Sequence, residues 1–402
     1  MIKKIFSPLG IVFVTLLLDK LGENIVYPLL PFILSSYNPS ALTLGAIASI
    51  GTLFAVLAGP IVGSLSDATG RRAMILLCIR LNILSLLIFG WATSILVILF
   101  SRVIYGISNS AMGTLQAYIV DISKPENRAR DLGISGAAFG LGAIAGPALG
   151  GGLMGLGLNV PVFVAAGLSC YNLISASVLL PESIPLEKRK PVNLEAINIF
   201  MPIGKLLRQP NLRRVSIAFA LFNICFSAYI SLLVLVLKQQ FSWTPLQTSG
   251  LFVIVGITLT VAQLSLIGKA VRLFGELKVN RIGMLCAVAG VLLLAIAPFV
   301  GPLQTTTIVI SGIILAIGTA FVLPTSRSLV SGLAPSDQQG AILGSLASLT
   351  GIASVIGPIT AGWLYDFSPV ACFSFEALAS LFGAILLGHQ SNHSESAKEA
   401  NV

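Results

Sequence analysis

Charge is what this chain has least of. Of its 402 residues, 10% are Asp, Glu, Lys or Arg, 55% are hydrophobic, and the mean hydropathy is +0.95. Soluble domains carry ~25% charged residues, so a soluble globular protein is excluded and a polytopic membrane protein is expected. Histidine is confined to His389 and His393 near the C-terminus, so proton chemistry inside the membrane has to use carboxylates. The cysteines Cys78, Cys170, Cys225, Cys286 and Cys372 all fall within apolar stretches, which implies no disulfide framework, and no metal site is expected. The chain lacks a G-x-x-x-x-G-K-[ST] phosphate loop. ATP is therefore not the energy source, and no cofactor beyond a proton gradient is called for. No small-residue cleavage site follows the short basic Met1–Pro8 stretch, so no removable signal peptide is expected.

What is present is a series of twelve apolar segments, at 9–35, 42–65, 73–92, 95–121, 132–155, 160–180, 214–237, 245–268, 282–300, 304–333, 340–364 and 369–388. About 20 helical residues cross a bilayer, so each is a candidate span. The connectors alternate between short Pro, Gly, Asn and Ser turns and basic loops. Of the 24 Lys and Arg, 19 lie in the N-terminus, the basic loops or the tail; Lys20, Arg80, Arg102 and Arg327 lie inside spans, and Lys238 alone is at the opposite face. The positive-inside rule then puts both termini in the cytoplasm. The net charge of +9 is topogenic and needs no nucleic-acid partner. Arg80 and Arg327 are within snorkelling reach of the cytoplasmic face.

The first segment is the unusual one. Asp19, Lys20 and Glu23 interrupt it, with Asp19 ~15 Å along the helix, close to the midplane. A carboxylate there costs at least ~2.5 kcal/mol, so such residues face a bundle interior or a water-filled cavity. Asp19 and Glu23 are four apart and share a face. Two carboxylates in one dry site do not both ionise cheaply, which describes a proton-binding site. The competing interpretation is a structural ion pair between Lys20 and Glu23.

Internal repetition divides the chain. Gly133, Gly140, Gly146, Pro147 and Gly151 recur at an offset of 211 as Gly344, Gly351, Gly357, Pro358 and Gly362. The expected organisation is an all-α membrane protein of twelve transmembrane helices in two pseudo-symmetric six-helix bundles. Residues 1–180 form the first, 181–213 a cytoplasmic linker with an amphipathic helix over Ile197–Leu207, 214–389 the second, and 390–402 a tail. Parallel repeats related by an axis along the membrane normal place a substrate site near the midplane.

Three motifs add mechanism. In GSLSDATGRR, Gly63 and Gly70 permit a tight turn, while Asp67 can cap the next helix or pair with Arg71, Arg72 or Arg130, as a latch on one conformer. In LFSRVIYG, Arg102 lies ~12 Å inside the fourth span and needs a partner. In GLGAIAGPALGG, small residues at four-residue spacing let helices approach, and Pro147 bends its helix.

The first motif matches the loop pattern G-x-L-x-D-x-x-G-R-R/K, and the chain resembles the major facilitator superfamily on it. The first-span pattern L-D-x-x-G-x-x-I-x-x-P-x-L-P and VDISKPENRARDLG are similar to twelve-helix drug/proton antiporters, tetracycline exporters in particular. The Gly146–Pro147 stretch looks like the fifth-span motif of that superfamily's antiporters. The resemblance implies that Arg102 works with the Asp19/Glu23 proton site, and that Gly63, Asp67, Gly70, Arg71, Arg72, Gly146 and Pro147 serve conformational gating. It implies a monomer in a bacterial-type plasma (inner) membrane. The chain departs from the pattern at Lys20 and Glu23, and its C-terminal loop counterpart has Arg272 where Asp67 stands.

The expected function is proton-coupled export of small amphipathic compounds, with protons, a small-molecule substrate and the bilayer as partners and no enzymatic activity. Candidate substrate contacts are Tyr27, Asn109, Gln116, Asn223, Phe226, Tyr229 and Gln263. Alternatives are proton-coupled uptake of a sugar or other metabolite, export of an endogenous lipid or metabolite, and a transport-dead sensor. The last is disfavoured by the midplane acids. Glu376, in the twelfth segment, is a candidate for a second titrating group.

Overall fold

The computed structural model describes residues 7–192, 200–335 and 338–399, apart from the side chains of residues 129 and 389–399. Among the described residues the chain is helix joined by short turns, without a strand. Eleven helices there are long and apolar enough to cross a membrane. They are α2 Ala41–Thr69, α3 Arg71–Gly90, α4 Ile95–Ile122, α5 Pro125–Leu156, α6 Val160–Leu179, α7 Pro210–Phe241, α8 Pro245–Phe274, α9 Glu276–Phe299, α10 Gly301–Leu333, α11 Gln339–Phe367 and α12 Pro369–Gly388.

The first apolar segment differs. It forms α1, Pro8–Val26, whose N-terminus is capped by the Ser7 hydroxyl accepting the Gly10 N–H. It then breaks into 3-10 turns at Tyr27–Leu29 and Leu34–Tyr37 around one helical turn, Leu30–Ile33. Pro28 and Pro31 account for the break, since proline offers no N–H to the helical ladder. The linker helix is Phe200–Arg208, with Ile203 and Leu206 buried and its basic residues outward. Residues 197–199 of the expected amphipathic stretch lie outside the described residues.

The chain forms two compact units. Unit 1 comprises Met1–Asn38, Ile50–Asn198 and Trp243–Val253; unit 2 comprises Pro39–Ser49, Ile199–Ser242 and Ile254–Val402. In unit 1, α1 packs along α5 and α6, and α3 against α4 and α6. In unit 2, α7 packs along α11 and α12, and α9 against α10 and α12. First with fifth and sixth, third with fourth and sixth, is the same plan twice over.

The repeated glycines do equivalent work. A methyl group added at Gly151 would lie 2.4 Å from the Ser249 Oγ within unit 1, and one at Gly362 would lie 2.4 Å from the Ala41 carbonyl oxygen within unit 2. Only hydrogen fits at either place. Unit 2 adds a cap to the same helix start: the Asp366 carboxylate accepts the Ala41 and Leu42 N–H groups, each at 2.9 Å.

Candidate functional site

The three charges on α1 form one cluster. Lys20 Nζ donates to Glu23 Oε2 at 2.6 Å and to Asn109 Oδ1 of α4 at 3.2 Å, and lies 3.4 Å from Asp19 Oδ2. The lysine is 5% exposed, whereas the two carboxylates keep 30% and 27% of their side-chain surface. A buried ammonium is therefore shared between two half-buried acids. Glu23 is one turn away at hydrogen-bond distance and Asp19 is held more loosely. Lys20 thus belongs to the cluster as its central cation.

The backbone beneath the cluster is clamped by α5. A methyl group at Gly142 would stand 2.9 Å from Lys20 Cβ, and one at Gly146 would stand 2.5 Å from Asn24 Cβ. The four-residue spacing read from the sequence is thus a seam where two helices meet backbone to backbone. Pro147 lies inside α5, next to that contact. Asn24, whose Nδ2 donates to the Lys20 carbonyl at 2.7 Å, ties α1 to itself at the same level.

Arg102 of α4 lies against two aromatic rings. Its guanidinium carbon lies 4.6 Å from the centroid of the Phe89 ring and 5.0 Å from that of Tyr105. Among the described residues it makes no ion pair within 4 Å, and Nε and Nη2 are buried without a hydrogen-bond partner. Stacking on two rings offsets part of the desolvation, by ~2 kcal/mol or more at a dry site. Arg102 nonetheless lines one cavity with Glu23, Tyr27, Asn82 and Tyr105. That cavity measures about 20 Å³, room for roughly one water and too small for an organic substrate. Asn82 and Tyr105 were not among the residues read from the sequence. The signals available were an amide inside an apolar run and a tyrosine one turn beyond Arg102.

The other candidates scatter. Asn109 joins the cluster through Lys20, and Gln116 and Gln263 are exposed. Asn223 donates to the Phe219 carbonyl at 2.8 Å, and Phe226 stacks on Phe222 with centroids 6.0 Å apart. Tyr229 is 2% exposed and its hydroxyl is engaged by Ser311 Oγ at 3.0 Å. It packs the interior of unit 2 and offers no free polar atom in this conformation.

The basic loop after α2 is an ordered network. Arg71 pairs with Asp67 at 2.5 Å and with Asp121 at 3.2 Å, and donates to Ser66 Oγ at 2.6 Å. Arg72 donates to the Ser177 carbonyl at 2.6 Å. Gly70 adopts φ +108°, a conformation that side chains disfavour, and Gly63 lies within α2. Asp67 pairs rather than caps. The cap on α3 comes from Glu182 in the linker, which accepts the Arg71 N–H at 2.9 Å. Arg130 pairs with its neighbour Asp131 at 3.0 Å. At the counterpart after α8, Arg272 Nε donates to the Gly268 carbonyl at 3.1 Å, with no ion pair among the described residues.

Comparison with known proteins adds the following. The family model described as Major Facilitator Superfamily matches residues 12–304 and 266–401. Tetracycline resistance protein, class C, of Escherichia coli is 30% identical over 384 residues, covering 92% of each chain. Multidrug resistance protein 2 of Bacillus subtilis is 27% identical over 367 residues, covering 90% of each. The crystal structure of the human organic anion transporter MFSD10 (TETRAN) superposes with a TM-score of 0.72 at 26% identity, covering 94% of this chain and 98% of that one.

Proposed function

Since this chain belongs to the Major Facilitator Superfamily, and is an integral membrane transporter rather than an enzyme, we propose that it exports small amphipathic compounds in exchange for protons by alternating access. One observation carries the proton site. Lys20 is shared unequally, 2.6 Å from Glu23 and 3.4 Å from Asp19, so Asp19 is the acid freer to exchange a proton. With all groups ionised, Asp19, Lys20, Glu23 and Arg102 sum to zero; one proton on Asp19 makes the set +1. That step expels a cationic cargo, and loss of the proton toward the cytoplasm lets cargo rebind. A one-for-one exchange of a proton for a monovalent cation moves no net charge, so the pH gradient drives it, and each pH unit supplies about 1.4 kcal/mol, a limit of roughly tenfold. The names of the tetracycline and multidrug resistance relatives support an amphipathic cargo. The basic loops support cytoplasmic termini in a bacterial-type inner membrane, with the monomer as working unit and no nucleic-acid partner.

A second reading has specific support. Lys20 and Arg102 are two buried cations, and one relative is named an organic anion transporter. For an anionic cargo the same charge step favours binding together with the proton, and transport runs with the gradient as uptake. Proteoliposomes with an imposed pH gradient decide. Using ethidium as cation and fluorescein as anion, the exporter reading expects ethidium to move against the proton flow and Asp19→Asn to abolish it, with Glu23→Gln impaired less. Full gradient-driven transport by Asp19→Asn overturns the site assignment; fluorescein moving with the protons selects the second reading.

A further inference from the structure

Unit 2 contains its own buried acid. Glu376 of α12 is 0% exposed and lies ~10 Å along its helix from Pro369, well within a hydrocarbon zone of ~30 Å. Its Oε1 accepts from the Cys372 thiol at 3.4 Å, and its Oε2 has no hydrogen-bond partner among the described residues. No Lys, Arg or His pairs with it among the described residues. Each packed neighbour offers only neutral groups. From α7 come the Cys225 thiol and the Tyr229 hydroxyl, the latter bonded to Ser311 of α10. From α9 comes the Met284 carbonyl, already accepting from Ser380 at 2.9 Å. From α11 comes Tyr365, beside Cys372, with its hydroxyl accepting from Gln240 at 3.1 Å. Arg281 of α9 lies against Gly388, twelve residues and ~18 Å further along α12.

An ionised carboxylate in such a place is left with one weak thiol donor and no counter-charge, a far heavier penalty than a neutral carboxyl lacking one acceptor. We propose that Glu376 is a second proton-binding site, held as the neutral acid while α7, α9 and α12 are packed and exchanging its proton when that packing opens. It deepens the exporter reading by adding a second coupled proton, carried by the unit that has no acid on its first helix.

Two arms test it. The first is independent of cargo: infrared spectra of the protein in lipid, from neutral to alkaline pH. At neutral pH a neutral-acid C=O band is expected that survives in Asp19→Asn/Glu23→Gln, is lost in Glu376→Gln, and shifts in Cys372→Ser as the Oε1 partner changes. It should fade reversibly at alkaline pH while the protein stays folded. A carboxylate signature at neutral pH, or a band that persists until unfolding, overturns the proposal. Should Glu376→Gln not fold, the Cys372→Ser shift alone assigns the band. The second arm measures ethidium accumulation at one pH unit of gradient, where losing one coupled proton lowers the limit about tenfold. Glu376→Gln at about a tenth of the parental limit supports the second proton, and an unchanged limit removes it from the cycle. Asp19→Asn probes the first site separately. If Asp19→Asn is active and Glu376→Gln is tenfold down, the Asp19 assignment fails and this one stands. If ethidium is not carried at all, the infrared arm decides.

Discussion

Replacing Lys20 by methionine removes the cation that touches both acids of α1, while keeping length and apolar stem. Breaking a buried pair by deleting one partner costs ~3–5 kcal/mol. The carboxylates retain 30% and 27% of their side-chain surface, so water screens part of the residual repulsion and ~2–3 kcal/mol is expected at neutral pH. For a cooperative unit of ~200 residues at ~2–4 °C per kcal/mol, the midpoint falls by roughly 4–12 °C. The protein carries its own reporters, because Cys78, Cys225 and Cys372 are buried and free and a thiol-reactive fluorophore reads their exposure on heating. Lys20→Met/Glu23→Gln, which removes one charge of each sign, should recover most of the loss. Acidification, which neutralises a carboxylate, should narrow the gap between Lys20→Met and the parent. A single variant as stable as the parent, or a double variant no better than the single, would refute the idea that Lys20 neutralises a pair of intramembrane acids.

Neighbouring glycines on α5 give a matched pair. Gly151→Ala meets Ser249 at 2.4 Å, whereas Gly152 has nothing within 4 Å. The first should lose ~1–3 kcal/mol by overpacking, and the second should gain up to ~1 kcal/mol from helix propensity, both read in the same thermal assay. Glu182→Ala strips the cap from α3 and should lose ~0.5–2 kcal/mol, with faster amide exchange at Arg71 and Arg72; unchanged exchange there counts against the cap. Arg102→Lys keeps the charge but not the planar stack on Phe89 and Tyr105. It should lower transport more than it lowers thermal stability, and equal losses in both would make Arg102 a packing residue alone.

The fold was legible because membrane helices announce themselves by length and apolarity, and because repeated glycines mark places where backbones touch. Gly142 and Gly146 were read as a close-approach face, and they meet Lys20 and Asn24. Position within a span also made Asp19, Lys20 and Glu23 conspicuous. The partners of those groups were harder to read. Arg102 was expected to work with the acids and lines one cavity with Glu23, but its stacking on two rings had no local signal, because which neighbour a buried cation meets depends on helix rotation that no local pattern encodes. Glu182 reaches α3 across 111 residues of chain, with nothing in its surroundings to point there. The break at Tyr27 did have a local signal, the prolines at 28 and 31, read there as part of a family pattern.

A seam between two backbones leaves no side chains to swing aside and absorb a shift. Any tilt of the acid-bearing helix must therefore carry the facing stretch of α5 with it. Nine residues past Gly142, ~14 Å along α5 and beyond Pro147, Gly151 bears on the start of α8. On the proposed mechanism, a change in electric charge at one end becomes a push at the other, through backbone contact rather than through a chain of bonded side chains.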